Sequence, residues 1–122
     1  MLTSVQWFHA HWVWVTLVAT GFVGLWGLGL AVLRRPPGRA FAAAAGLAIA
    51  AALIQVAAGV ALYAYGLRPL NGFHVFYGIL IAVTLSLAYV YRAALARRPA
   101  LSYGLLLLFV MGLGFRAWSN VA

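Results

Sequence analysis

"AFAAAAGLAIAAALIQVAAGVALYAY", residues 40 to 65, contains no charged side chain and is bounded on both sides by helix-breaking sequence. A helix of roughly 20 apolar residues crosses a hydrocarbon core about 30 Å thick, so this run is long enough to span a bilayer. Before it stands "RRPPGR" (34–39), where two prolines remove backbone donors. After it comes "GLRPLNG" (66–72), a Gly/Pro/Asn turn signal. Three more apolar runs repeat the pattern, and the four predicted helices cover about 6–33, 40–65, 73–95 and 100–118.

The whole composition agrees with that reading. Of 122 residues 67% are hydrophobic, and the mean hydropathy is +1.06. A soluble domain of this size leaves too much surface exposed to hide such a chain. In lipid, backbone groups must bond within the segment or within a closed barrel, and runs this long do so as helices. Short connections make neighbours antiparallel. The expected fold is therefore all-α: a single integral membrane domain over residues 1–122, folded as an up-and-down four-helix bundle. The N-terminal run lacks the basic start and small-residue cleavage site of a secretory signal, and is read as the first span.

Arginine placement sets the expected orientation. Arg34, Arg35, Arg39, Arg92, Arg97 and Arg98 lie around the first and third connections, while only Arg68 and Arg116 lie at the opposite end. This predicts insertion in the cytoplasmic (inner) membrane with both termini outside. Aromatic anchors fit both interfaces, with Trp7, Trp12, Trp14, Tyr63, Tyr65 and Trp118 at the outer rim and Tyr89, Tyr91 and Tyr103 at the inner one. Arginines clustered at span ends have this topological explanation, and no nucleic-acid partner is expected. The expected partner is the lipid bilayer.

What the chain lacks narrows its chemistry. It has no aspartate or glutamate, which excludes paired-carboxylate hydrolysis, a Ser-His-Asp triad, oxygen-ligand calcium sites and carboxylate proton relays. It has no cysteine, which excludes disulfides, thiolate zinc, iron–sulfur ligation and covalent haem attachment. Transport is disfavoured because nothing charged lies within the spans to couple a solute.

Three histidines remain, in "QWFHAHWVW" (6–14) and "NGFHVFYG" (71–78). In the predicted topology His9, His11 and His74 all lie at the outer level. At 100° per residue, His9 shares a line with Thr16, Thr20 and Gly27, and small or hydroxyl residues mark helix contacts in membranes. His11 points about 160° away, among Trp7, Trp14, Val18, Phe22 and Leu25. Helix two carries Ala48, Gln55, Gly59, Leu62 and Gly66 on one stripe, and helix three carries His74, Gly78, Ile81, Leu85 and Ala88. Gln55 reads as an interhelical hydrogen-bonding group.

Two neutral imidazoles on parallel helices are a recognised way to hold a haem iron. The candidate metal ligands are His9 and His74. The ring would lie above Gly78 and near Thr16, among Phe73, Phe76 and Tyr77, with Arg68 and Arg116 as counter-charges for the propionates. The competing readings are interfacial histidines without a ligand, a Gly78 that serves helix packing, and arginines that snorkel to headgroups.

The stretch "LIQVAAGVALYAYGLRPLNGFHVFYGI" (53–79) resembles one half of a haem A synthase, in which a Gln-x-x-x-Gly helix leads through a short loop to a histidine-bearing helix. In layout the whole chain is similar to small four-span bacterial membrane proteins of the cytochrome b-like kind, opening with His9 and, five residues on, Trp14. The resemblance implies haem b ligation by His9 and His74; His11 has no counterpart. Haem A synthases also use an outer-face glutamate and a cysteine pair, both missing here, so their reaction is not implied. The expectation is an electron carrier or haem-handling protein rather than a catalyst, with a quinone or a larger respiratory membrane complex as partner. The alternative is a non-redox accessory subunit binding lipid or quinone in its grooves.

Overall fold

The computed structural model describes residues 2–69 and 71–120. It is all-helical, with α1 (Leu2–Val32), α2 (Gly38–Ala64), α3 (Gly72–Val90), the single turn α4 (Arg92–Leu95) and α5 (Pro99–Ser119). All except α4 are long and apolar enough to cross a membrane. At about 1.5 Å per residue α1 measures roughly 46 Å and α3 only roughly 28 Å, so α1 outruns a hydrocarbon core that α3 just spans.

Two boundaries differ from the sequence-based expectation. Helix α1 begins at Leu2 rather than Gln6, because nothing in residues 2–5 opposes a helix. The third apolar run is interrupted: α3 stops at Val90, and residues 92–95 form a separate turn. Arg92 reaches back to donate to the Tyr89 carbonyl at 2.9 Å and stacks its guanidinium over the Tyr89 ring. That carbonyl is the one a continuing helix would offer to the Ala93 N–H. The arginine head thus satisfies the helix end.

The four long helices form an antiparallel bundle in which α1 packs on α2 and α5, and α3 packs mainly on α5 and only lightly on α2. Helices α1 and α3 are diagonal. The α1–α5 crossing is the closest. A Cβ added at Gly27 would lie 2.7 Å from the Ala100 carbonyl oxygen, and one at Gly104 would lie 2.9 Å from the Leu28 nitrogen. Only glycine lets two backbones meet at this distance, which is how membrane helices gain van der Waals contact without a hydrophobic driving force.

Two apolar clusters fill the interior. Val23, Phe41, Ala45, Ala48 and Leu107 occupy the half toward the arginine-rich end, and Ala52, Ile81, Leu85, Val110 and Leu113 lie beyond them. The α1–α2 seam carries two side-chain hydrogen bonds. Trp12 Nε1 and Thr16 Oγ1 both donate to the Ala51 carbonyl, at 2.9 and 3.2 Å. Trp12, expected as a rim anchor, is therefore part-buried between helices. Thr20 is fully buried and donates to the Thr16 carbonyl of its own helix at 2.7 Å.

The expected inward faces are the buried ones. Thr16, Thr20 and Gly27 are buried, whereas Trp7, Trp14, Val18, Phe22 and Leu25 are exposed. Ala48 and Leu62 of α2 and Ile81 and Leu85 of α3 are buried as well. Gly66 leaves the predicted stripe. It is exposed with φ +88° just past the end of α2, where the Leu67 N–H reaches the Leu62 carbonyl at 3.0 Å. This is a left-handed helix stop, and glycine adopts its positive φ without strain.

Candidate ligand site at the histidine end

The start of α1, the end of α2, the start of α3 and the end of α5 meet at one end of the bundle, and this end carries all three histidines. His9 is part-buried and projects across the bundle centre. Its ring lies 6.0 Å from the His74 ring, centroid to centroid, with the two planes at 88°. The backbones of α1 and α3 do not approach each other, and the His9 and His74 side chains meet across the diagonal.

Helix α2 shapes the His9 side. A Cβ at Gly59 would sit 3.0 Å from His9 Cε1, so the missing side chain makes room for the imidazole. One turn earlier, Gln55 Nε2 donates to the His9 carbonyl oxygen at 2.8 Å. Gln55 thus makes the interhelical bond expected of it, and its partner is the histidine's own backbone. Two side-chain atoms are buried without a hydrogen-bond partner among the described residues, His9 Nδ1 and Gln55 Oε1. Native interiors seldom leave such atoms unpaired.

Helix α5 shapes the His74 side. His74 Nδ1 lies 2.7 Å from the Ala117 carbonyl oxygen. A carbonyl only accepts, so Nδ1 carries the proton and, in the neutral ring, Nε2 keeps the lone pair. Contacts on either side hold the register: Asn71 Nδ2 donates to Asn120 Oδ1 at 3.0 Å, and Arg116 Nε donates to the Tyr77 hydroxyl at 3.3 Å. Asn71 also caps α3, its Oδ1 accepting from the Phe73 N–H at 2.9 Å.

The other candidate residues fall as follows. A Cβ at Gly78 would meet nothing within 4 Å, so this glycine makes no close helix contact. Thr16 gives its hydroxyl to the α1–α2 seam. Arg68 and Arg116 are exposed at the same end, the first 4.2 Å above the Tyr63 ring and the second 5.6 Å from the Tyr77 ring centre. His11 is exposed, stacks on Trp7 at 4.3 Å and places Nδ1 2.8 Å from the Trp7 carbonyl. It turns away from the other two, as the helical angle requires.

The histidines alone do not make a closed metal-ion site. Among the described residues no three of His, Cys, Asp or Glu come together, as a closed zinc-type site needs. The His9–His74 spacing of 6.0 Å, with the planes at 88°, is that of an edge-to-face ring contact. Ala117, Gly59 and the Asn71–Asn120 pair were not anticipated as parts of the site. The Ala117 contribution is a backbone carbonyl, which carries no signature in the sequence.

Compared with protein-family models, with curated proteins and with solved structures, the chain matches none.

Proposed function

We propose that this protein is a membrane b-type cytochrome-like protein that holds one haem near the outer face through His9 and His74, for electron transfer or haem handling. One observation carries the reading. His74 donates its Nδ1–H to the Ala117 carbonyl and so keeps its Nε2 lone pair, with a second imidazole 6.0 Å away. Histidines that bind metal commonly hand their other ring N–H to a carbonyl in this way. The haem is non-covalent, since the chain has no cysteine. When bound, it supplies one-electron chemistry. The protein's part is to supply two neutral ligands, with Arg68 and Arg116 as counter-charges for the propionates.

The bundle sits in the inner membrane with both termini outside, which the six-to-two arginine split supports. A quinone or a larger respiratory complex is the electron partner. Cysteines placed after Arg35 and after Asn71 test the orientation: labelling of the second but not the first from outside intact cells is expected, and the reverse overturns it. The function is tested by an absorption spectrum of purified, haem-supplemented protein. A low-spin b-type spectrum that survives His11→Ala and is lost or turned high-spin in His9→Ala and His74→Ala is expected. A protein that stays folded and shows no Soret band refutes it.

A second reading, a non-redox accessory subunit, is favoured by the apolar groove between α1 and α2. It is lined by Trp12, Val15, Ala19, Leu47 and Ile54 among others and fits a lipid or quinone tail.

A further inference from the structure

The two imidazoles are held very differently. The His74 ring is pinned by its 2.7 Å bond to the Ala117 carbonyl, and that bond is flanked by the Asn71–Asn120 and Tyr77–Arg116 contacts. The His9 ring has no polar tether. Its Nδ1 is buried and unpartnered, and it rests against the bare backbone of Gly59. Gln55 holds the His9 carbonyl, which steadies α1 but gives the imidazole itself no hydrogen bond.

This asymmetry has a chemical consequence. An imidazole whose second nitrogen donates to a carbonyl is oriented and made more basic, and losing such a partner weakens metal binding about 10–100-fold. Resting on the haem reading above, we infer that His74 is the permanent axial ligand and His9 the displaceable one. The α1 side of the haem then takes a small neutral π-accepting ligand. The exchange balances simply: one metal–nitrogen bond breaks, one bond from the ligand's lone pair forms, and no proton or electron moves. The surroundings favour a neutral ligand, because both arginines at this end are exposed. The freed His9 ring also has an acceptor available. Gln55 Oε1 is buried without a partner one turn from Gly59, on the face of α2 that His9 already touches.

Carbon monoxide is the probe. Purified haem-supplemented protein is reduced, and its spectrum is recorded before and after addition of the gas. Pigment retained on a desalting column is measured in parallel for wild type, His9→Ala, His74→Ala and Gly59→Ala. Wild type is expected to shift its Soret band under carbon monoxide. His9→Ala is expected to keep its pigment and bind the gas at least about 10-fold more tightly, while His74→Ala loses pigment at least about 10-fold more readily. Gly59→Ala, whose new methyl presses on the His9 ring, is expected to raise carbon monoxide affinity over wild type. A reduced wild-type spectrum that saturating gas leaves unchanged overturns the inference and leaves the cytochrome reading standing. So does a His74→Ala variant that retains pigment as well as His9→Ala. Absence of any Soret band in the folded wild type refutes the haem reading itself, which is a separate outcome.

Discussion

Where α1 crosses α5 the two backbones touch, and where α1 faces α3 the backbones stay apart and two imidazoles meet across the gap. The first contact runs through Gly24, Gly27 and Gly104 toward the arginine end, each with an opposing backbone atom within about a carbon's reach of its missing side chain. The second lies at the histidine end, where α3 leans on α5 and touches α2 only lightly. The close crossing has no polar group to satisfy and no room to move. The diagonal has polar atoms left over and one histidine whose ring makes no hydrogen bond. One bundle thus combines a tightly packed half with a half whose buried polar atoms are not all paired.

The difference predicts very unequal responses to the same substitution. The largest effect is expected for Gly104→Leu. Its Cβ alone would fall 2.9 Å from the Leu28 nitrogen and 3.0 Å from the Gly24 carbonyl oxygen. Backbone atoms cannot rotate aside, so α1 and α5 must separate along their whole contact. A loss beyond ~3 kcal/mol is expected, at or past the upper end of ordinary overpacking. Thermal unfolding in detergent checks this, with Gly112→Leu on the same helix as control, because a Cβ there meets nothing within 4 Å. If both variants melt together, the close crossing does not hold the fold.

An intermediate effect is expected for Gly59→Leu. The obstacle at Gly59 is the His9 ring, 3.0 Å from the added Cβ, and a side chain can yield where a backbone cannot. A cost of about 1–2 kcal/mol fits overpacking against a yielding neighbour. Gly29→Leu, on an exposed face of α1 with open space around it, should stay within about 0.5 kcal/mol of wild type. Equal melting temperatures for the two variants would show that His9 is not seated against α2.

The tightly packed half was legible in the sequence through its periodicity. Thr16, Thr20 and Gly27 on one line of α1, against Phe22 and Leu25 opposite, give the buried face directly, and the separation of His9 from His11 follows from the same angle. Gly104 was not singled out, because a small residue on one helix becomes meaningful only when Gly24 and Gly27 of another are known to lie against it. The site was legible only as a pair of histidines at one level. What distinguishes them is a main-chain carbonyl at Ala117 and a pairing of Asn71 with Asn120 across α3 and α5. The first leaves no trace in residue type, and the second depends on a register that periodicity does not supply. The break at Tyr91 was missed for a related reason: apolar residues run on to Leu95, and the interruption comes from the backward reach of Arg92.

The smallest effect sharpens the comparison at the helix ends. Helices α1 and α2 finish with the same backbone turn. In each, a residue at positive φ follows the helix, and the next N–H bonds back five residues, Arg35 to the Leu30 carbonyl at 2.9 Å and Leu67 to the Leu62 carbonyl at 3.0 Å. At the histidine end the left-handed residue is Gly66, φ +88°, which adopts that conformation freely. At the arginine end it is Arg34, φ 54°, whose Cβ crowds the following carbonyl. Glycine there would remove a strain of roughly 1–2 kcal/mol but would have more freedom to lose from the unfolded chain. The net expectation for Arg34→Gly is therefore a gain of about 0.5–1 kcal/mol, read as a higher melting temperature in detergent. That an arginine occupies the strained position fits the charge asymmetry between the two ends: Arg34 is one of six cations on its side of the bundle, against two on the other. Arg34→Asn, which also tolerates the left-handed region and likewise lacks the charge, should gain less than glycine. If neither variant is more stable than wild type, the arginine is not strained, and its guanidinium contributes more at the membrane surface than the turn costs.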